Sequence, residues 1–128
     1  MNREHLKAHI EAIEKGYEFF LAYAAQGAQS DEASKVGAQL REFLGQMGGA
    51  LDALAADLDS IIETEGLEPA DLYRAVTDIT SADAARAAAA VHLVTAQDVI
   101  PSEMIDNLNA SLHIRALLTD LFLLDDVV

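Results

Sequence analysis

The stretch at residues 3–26, REHLKAHIEAIEKGYEFFLAYAAQ, decides the fold class of this chain. Its apolar residues recur in alternating steps of four and three, which is the period of an α-helix that turns one face toward a core. These residues are Leu6, Ile10, Ile13, Tyr17, Phe20 and Ala24. Asn2 is placed to cap the start of this helix and Gly27 to end it, because glycine readily adopts the left-handed conformation. We therefore predict a first helix over residues 3–26.

The rest of the chain continues the helical pattern. We predict a long second helix over residues 30–64, a short third helix over residues 69–78, a fourth that begins at residues 80–83 and ends before Pro101, and a fifth from Pro101 to about Leu124. The acidic segment at residues 30–32 suits the positive end of a helix dipole, and Thr-Ser-Ala-Asp at residues 80–83 resembles a capping box. Three glycines inside the second helix predict a bend or a close helix crossing: Gly45, Gly48 and Gly49.

These elements predict an all-α fold, a single-domain bundle of four to five helices with two or three long antiparallel helices, over residues 1–128. We find no alternating pattern that would indicate a strand, and no repeat or linker that would indicate a second domain. No apolar run approaches the roughly 20 residues that a membrane span needs, and the first residues lack the apolar segment of a secretory signal. We therefore expect a cytoplasmic protein.

The composition is strongly acidic, with 22 Asp and Glu against 8 Lys and Arg and a net charge of −14. This excess argues against binding to nucleic acid or to an anionic membrane, because both attract cationic surfaces. Asp52, Asp59 and Glu63 share the face of the second helix opposite its leucine stripe, and we expect them to form an acidic ridge. The ridge is a candidate docking surface for a basic protein, although ordinary solvation is the simpler interpretation.

The first and last helices are apolar on nearly every side, at residues 17–25 and 117–124. A helix of this kind has to be enclosed on every side, and a chain of this size has difficulty enclosing two of them. We therefore predict that part of this surface contacts another chain, through Phe19, Tyr23, Leu117 and Leu121. The alternative is that the first helix is the central helix of the bundle and is covered by its own chain.

No residue pattern indicates catalysis, a metal site or a cofactor. The chain has no cysteine, and His5 and His9 lie four residues apart on one helical face, whereas a zinc site needs at least three protein ligands. We interpret His92 and His113 as buried or boundary residues bonded to the backbone, and Glu18 as a solvent-facing residue of the first helix. We therefore predict no catalytic residues, no metal, no cofactor and no enzymatic activity.

Three functional hypotheses remain from these observations. The first is a non-enzymatic protein–protein interaction module, an accessory, scaffold or regulatory subunit that forms a homo-oligomer or docks through the apolar faces of its first and last helices. The second is an acidic inhibitor of the immunity type that mimics nucleic acid and binds a basic protein. The third is a bundle whose interior holds a small apolar ligand or a metal, near Tyr17, Phe20, Tyr23 and His92.

Overall fold

The computed structural model describes residues 1–128 except for the side chain of Leu112. Throughout this range the chain forms helices and no strand, which confirms the all-α prediction. The helices are α1 (Arg3–Ala25), α2 (Gly37–Asp57), α3 (Ile61–Thr64), α4 (Ala70–Thr95), α5 (Ser102–Ala110) and α6 (Leu112–Val127), with a 3₁₀ turn at Leu58–Ser60 between α2 and α3. Because α3 is a single turn, five longer helices make up the bundle.

Helix α1 has the boundaries that its caps predict. The side-chain oxygen of Asn2 accepts a hydrogen bond from the His5 backbone N–H at 2.8 Å, which satisfies one of the free donors of the first turn. At the other end, Gly27 has a φ of 64°, the left-handed conformation that ends helices. Four residues of the apolar stripe, Leu6, Ile10, Ile13 and Phe20, are buried in the core, and Tyr17 and Ala24 are half-buried.

Helix α2 begins later than predicted because Asp31 is not a first-turn residue of this helix. Asp31 is only 7% exposed, and its carboxylate accepts hydrogen bonds from Arg41 Nε at 2.8 Å and from the Ile100 backbone N–H at 2.9 Å. These bonds fix residues 26–36 as a loop against the α4–α5 connection. After the 3₁₀ turn and α3, the chain reverses at Gly66, which has a φ of 61° at the predicted position.

Helix α4 is one continuous helix where two were predicted. The hydroxyl of Thr80, the residue expected to begin a new helix, donates to the Val76 backbone carbonyl at 2.9 Å. It therefore bonds to the preceding turn of its own helix instead of capping the following one. Asp83, the last residue of the presumed capping box, instead pairs with Arg86 one turn later.

The predicted last helix is divided into α5 and α6 at Ser111, whose φ of −57° and ψ of 127° leave the helical region. Just before the break, Asn109 is buried and its side-chain amide donates to the Tyr17 carbonyl of α1 at 3.1 Å. This contact holds α5 against α1, and the break lets α6 continue in a new direction, against α4 and α1.

Two glycines permit close helix contacts in the core. A Cβ on Gly48 would lie 3.0 Å from His92 Cε1, which agrees with the predicted close crossing, here between α2 and α4. A Cβ on Gly16 would lie 2.7 Å from Met47 Cε, a close α1–α2 contact that the sequence pattern did not predict. A Cβ on Gly45 would meet no other atom within 4 Å, so this glycine serves no such contact.

Candidate docking groove

Three of the four apolar residues proposed as a partner surface are enclosed by their own chain, so that prediction needs correction. Tyr23, Leu117 and Leu121 are fully buried in the protomer, and the Tyr23 hydroxyl donates to the Ile100 carbonyl. Phe19 is half-buried and stacks on Phe43, with ring centroids 4.6 Å apart. Helices α2, α5 and α6 of the same chain pack on α1, and the folded protomer does not present the three buried residues to a partner.

The acidic residues of the predicted ridge do not form one free surface. Asp52 and Glu63 are exposed, but the carboxylate of Asp52 lies 2.9 Å from Nε2 of His92 on α4. Asp59 is half-buried beside Asp78 of α4. Protonated Asp78 can donate to Asp59, and this hydrogen bond raises the pKa of the Asp78 carboxyl, as do desolvation and the negative charge of Asp59. A docking role for these residues stays a prediction.

Two of the histidines are more exposed than the sequence analysis predicted. His92 and His113 are exposed, and His92 bonds to a carboxylate instead of the backbone, so the interpretation of both residues as buried or boundary histidines was wrong. Desolvation, and secondarily the charge of His5, lower the pKa of His9. Within the part of the chain that the structure describes, no three His, Asp or Glu side chains are grouped so that they could hold a metal ion. Glu18 is exposed, as predicted.

The residues proposed to surround an interior ligand line neither of two cavities on the surface of the bundle. Phe20 and Tyr23 are fully buried in the packed core, Tyr17 is half-buried, and His92 is on the surface. The Tyr23 hydroxyl already donates to the Ile100 carbonyl.

Helix α6 does carry the surplus apolar surface that its sequence predicts, but on other residues. It turns Leu117, Leu121 and Leu124 into the core and still presents an apolar face to solvent. On this outer face Phe122 is 44% exposed, Leu123 54% and Val127 47%.

The outer face of α6 forms one wall of an apolar groove, and the first two turns of α4 form the other. We call this the α4–α6 groove; its cavity has a volume of about 270 Å³. Its lining residues are Pro69, Leu72, Tyr73, Val76, Leu123, Leu124 and Val127. Tyr73 and Val76 are half-buried and Leu124 is buried, so they form the floor, whereas Leu72 at 64% exposure rises on the α4 side. The Tyr73 hydroxyl donates to the Val127 carbonyl at 2.7 Å and ties the two helices together.

The apolar surface continues along α4 beyond the cavity. Ile79 lies seven residues after Leu72 and three after Val76, so the three side chains share one helical face. Ile79 is exposed, like Leu72. The groove therefore opens onto a line of apolar positions about two turns long.

Acidic residues occur near the groove on both of its helices. Glu68 and Asp71 are exposed and adjoin α4 lining residues in the sequence, and Asp126 is exposed and adjoins Val127 of α6. Asp125 adjoins Leu124 and is half-buried. Two basic residues lie at the same helix ends: Arg74, which adjoins Tyr73, and Arg3, whose Nε donates to the Val128 carbonyl at 3.0 Å. The surroundings of this apolar groove therefore carry a net negative charge.

A second cavity lies between the end of α1 and the start of α5, but its polar groups are already used. It has a volume of about 440 Å³ and is lined by Ala24, Gly27, Ala28, Gln29, Pro101, Ser102, Glu103 and Asp106. The Ser102 hydroxyl donates to the Tyr23 carbonyl at 2.6 Å and accepts from the Ala28 N–H at 2.9 Å. These bonds make Ser102 a connection between loops, and the α4–α6 groove is the better candidate for a functional site.

Among the described residues, no helix combines the length and the apolar character needed to cross a membrane. The cytoplasmic location stays a prediction. No family model, no curated protein and no solved structure matches this chain, so its function has to be inferred from the geometry of the α4–α6 groove.

Proposed function

We propose that this protein is a non-enzymatic interaction module that binds a segment of another protein in the α4–α6 groove. The observation that carries the proposal is the contiguous apolar surface formed by Leu72, Leu123 and Val127 around a cavity with an apolar floor. Exposed apolar patches of this kind, with a polar border, mark interaction sites on soluble domains.

The exposed side chains offer a substantial driving force for binding. Leu72, Ile79, Leu123 and Val127 are each about half to two-thirds exposed, so covering them contributes about 1 to 2 kcal/mol per side chain. The anchor residues of the partner contribute a similar amount, and the gross gain has to exceed the cost of association. Elsewhere on α4, Leu93 is exposed but does not line the groove, which makes it a useful comparison.

The proposal is tested by selecting peptides from an unbiased displayed library with the wild-type protein. Selected peptides are then measured by fluorescence anisotropy against Leu72→Asp and the control Leu93→Asp, whose parent residues lie on the same helix and are 64% and 66% exposed. We expect the groove variant to lose binding by at least about tenfold and the control to retain it. Thermal unfolding of both variants verifies that they are folded.

Two outcomes would overturn the proposal. One is a library that yields no binder after selection, and the other is a set of binders that Leu72→Asp and a second groove variant, Leu123→Asp, retain unchanged. Self-association through the same surface, the homo-oligomer expected from the sequence, is measured separately by light scattering of the wild type and of Leu123→Asp. A dimer that Leu123→Asp converts to a monomer would assign the groove to a second copy.

A further inference from the structure

We infer that the segment bound in the α4–α6 groove is an amphipathic helix with Lys and Arg on its polar side. This inference rests on the proposed function, since it names the class of partner for the same groove. Two independent features carry it: the secondary structure of the walls and the charge around them.

The walls of the groove select a helix over an extended segment. Both walls are helices, in which backbone N–H and C=O groups already bond to each other, so there is no sheet edge to which a strand could add. An extended peptide would leave its own backbone groups without partners against an apolar floor. A helix satisfies these groups internally and covers the groove with side chains alone.

The spacing of the apolar residues along α4 agrees with a helical occupant of about two to three turns. Leu72, Val76 and Ile79 extend about 10 Å along α4 at 1.5 Å per residue. A helix laid beside them presents its own apolar residues at positions i, i+4 and i+7, which cover a similar distance. The start of α4 and the end of α6 meet at the bond from Tyr73 to Val127. Desolvation, together with the charge of Asp83 further along α4, raises the pKa of Asp120, which lies earlier in α6, so the two walls run antiparallel and leave a furrow between them.

The charge around the groove selects basic residues on the polar side of that helix. Glu68, Asp71 and Asp126 are exposed and adjoin lining residues in the sequence. With half-buried Asp125, these acidic residues outnumber Arg3 and Arg74 at the same helix ends, and the whole chain carries a net charge of −14. Lys and Arg can lay their aliphatic portions on the apolar border while their charged groups approach these carboxylates. A second copy of this chain would bring another −14 to the interface, and this repulsion disfavours it as the occupant.

The test uses three displayed libraries of helical peptides that share randomised Leu, Ile, Phe and Met anchors at i, i+4 and i+7. Their polar positions differ: Lys and Arg in the first library, Gln and Ser in the second, Glu in the third. We expect the basic library to be enriched by at least about tenfold over the acidic one. Raising the salt from about 50 mM to about 500 mM should remove most of this difference, because it screens exposed charges.

A charge-neutralising variant with a matched control locates the effect. Asp71→Asn with Asp126→Asn should weaken the selected basic peptides several-fold and leave the neutral peptides unchanged. The control, Glu103→Gln with Asp106→Asn, removes the same charge from the second cavity and should have a much smaller effect. Circular dichroism of the bound peptides should show added helical signal.

The outcomes separate this inference from the proposed function. Equal enrichment of the basic and acidic libraries, or selected binders that contain proline at their centre and gain no helical signal, would overturn the inference and leave the groove as a docking site. Failure of all three libraries, together with failure of the unbiased library, would overturn both.

Discussion

The loop between α1 and α2 contains one buried carboxylate, that of Asp31, and replacing it tests the fold directly. In Asp31→Asn the side chain keeps its shape but loses the charge that attracts Arg41. In the wild type, Arg41 Nε donates to Asp31 at 2.8 Å, and its Nη atoms donate to the carbonyls of Thr95 at 3.3 Å and Gln97 at 2.9 Å. The pair therefore joins the α1–α2 loop, α2 and the end of α4.

The expected loss follows from how far each partner is removed from water. Breaking a fully buried ion pair costs about 3 to 5 kcal/mol, and a hydrogen bond to a charged group contributes about 1.5 to 3 kcal/mol. Asp31 is 7% exposed, but Arg41 is 36% exposed and can recover some hydration after the substitution. We therefore expect Asp31→Asn to lower the free energy of unfolding by about 2 to 3 kcal/mol, which lowers Tm by about 8 to 12 °C.

The pH dependence of this loss identifies its electrostatic origin. The hydrogen bond from Arg41 is the main cause that lowers the pKa of Asp31 in the folded protein, and the Ile100 N–H acts in the same direction. A depressed carboxyl pKa stabilises the fold above the unfolded-state value of about 3.9, and this contribution disappears as the pH falls through the folded pKa. The difference between wild type and Asp31→Asn should therefore be full at pH 7 and shrink in acid.

Urea unfolding monitored by circular dichroism, at pH 7 and at several acidic values, measures this difference. Glu32→Gln is the control, because Glu32 is the exposed neighbour in the same loop. It should change the free energy of unfolding by less than about 0.5 kcal/mol. A loss for Asp31→Asn no larger than that of the control, or a loss that persists undiminished in acid, would refute the role assigned to this ion pair.

Four further substitutions, in three predictions, test other parts of the structure. Asp78→Asn should raise Tm at neutral pH, because Asp59 raises the pKa of Asp78 and ionisation of Asp78 therefore opposes folding. The gain in Tm should vanish as the pH falls through the pKa of Asp78. A lower Tm for this variant at pH 7 would contradict the prediction. Gly45→Ala should raise the free energy of unfolding by about 1 kcal/mol, since the added methyl meets nothing within 4 Å in a helix interior; destabilisation in urea would contradict this. Leu121→Ala should cost about 2 to 5 kcal/mol, whereas Leu123→Ala should cost less than about 1 kcal/mol; equal losses would contradict the burial assigned to the two residues.

Helix α1 could be predicted from sequence because every signal that defines it is local. Its stripe, its Asn2 cap and its Gly27 end all lie within the segment itself, and the structure has each of them. The start of α2 could not be predicted in this way. Asp31 resembles a helix-start residue, and only its partners Arg41 and Ile100, which are distant in sequence, show that it is a buried loop anchor.

The boundary predicted inside α4 was wrong for a related reason. A threonine followed three residues later by an aspartate fits a capping box, but the Thr80 hydroxyl can equally bond to the carbonyl of the previous turn, and here it bonds to Val76. Both outcomes use the same local residues. Which bond the hydroxyl makes depends on whether tertiary packing interrupts the helix at this point. Here the helix is unbroken, and Thr80 is fully buried.

The sequence predicts that the last helix has surplus apolar surface, but it does not predict which residues form the groove. The apolar run at residues 117–124 shows that α6 has more apolar positions than one buried face can use. Leu121 and Leu123 are chemically identical, so nothing in the run states which of them faces the core. That choice is made by the direction in which α6 leaves Ser111 and packs on α4, which is a property of the tertiary structure.

The acidic composition limits which partners the apolar groove can bind. An exposed line of leucine, isoleucine and valine favours association with any apolar surface, including that of another copy, because the hydrophobic effect is not directional. Carboxylates near the groove add selectivity for charge, since they oppose a second acidic copy and favour a basic segment. If this selectivity operates, neutralising Asp71 and Asp126 together should have two effects: weaker binding of basic peptides and stronger self-association at low salt. If light scattering shows no change in mass for this double variant, the carboxylates near the groove do not control self-association.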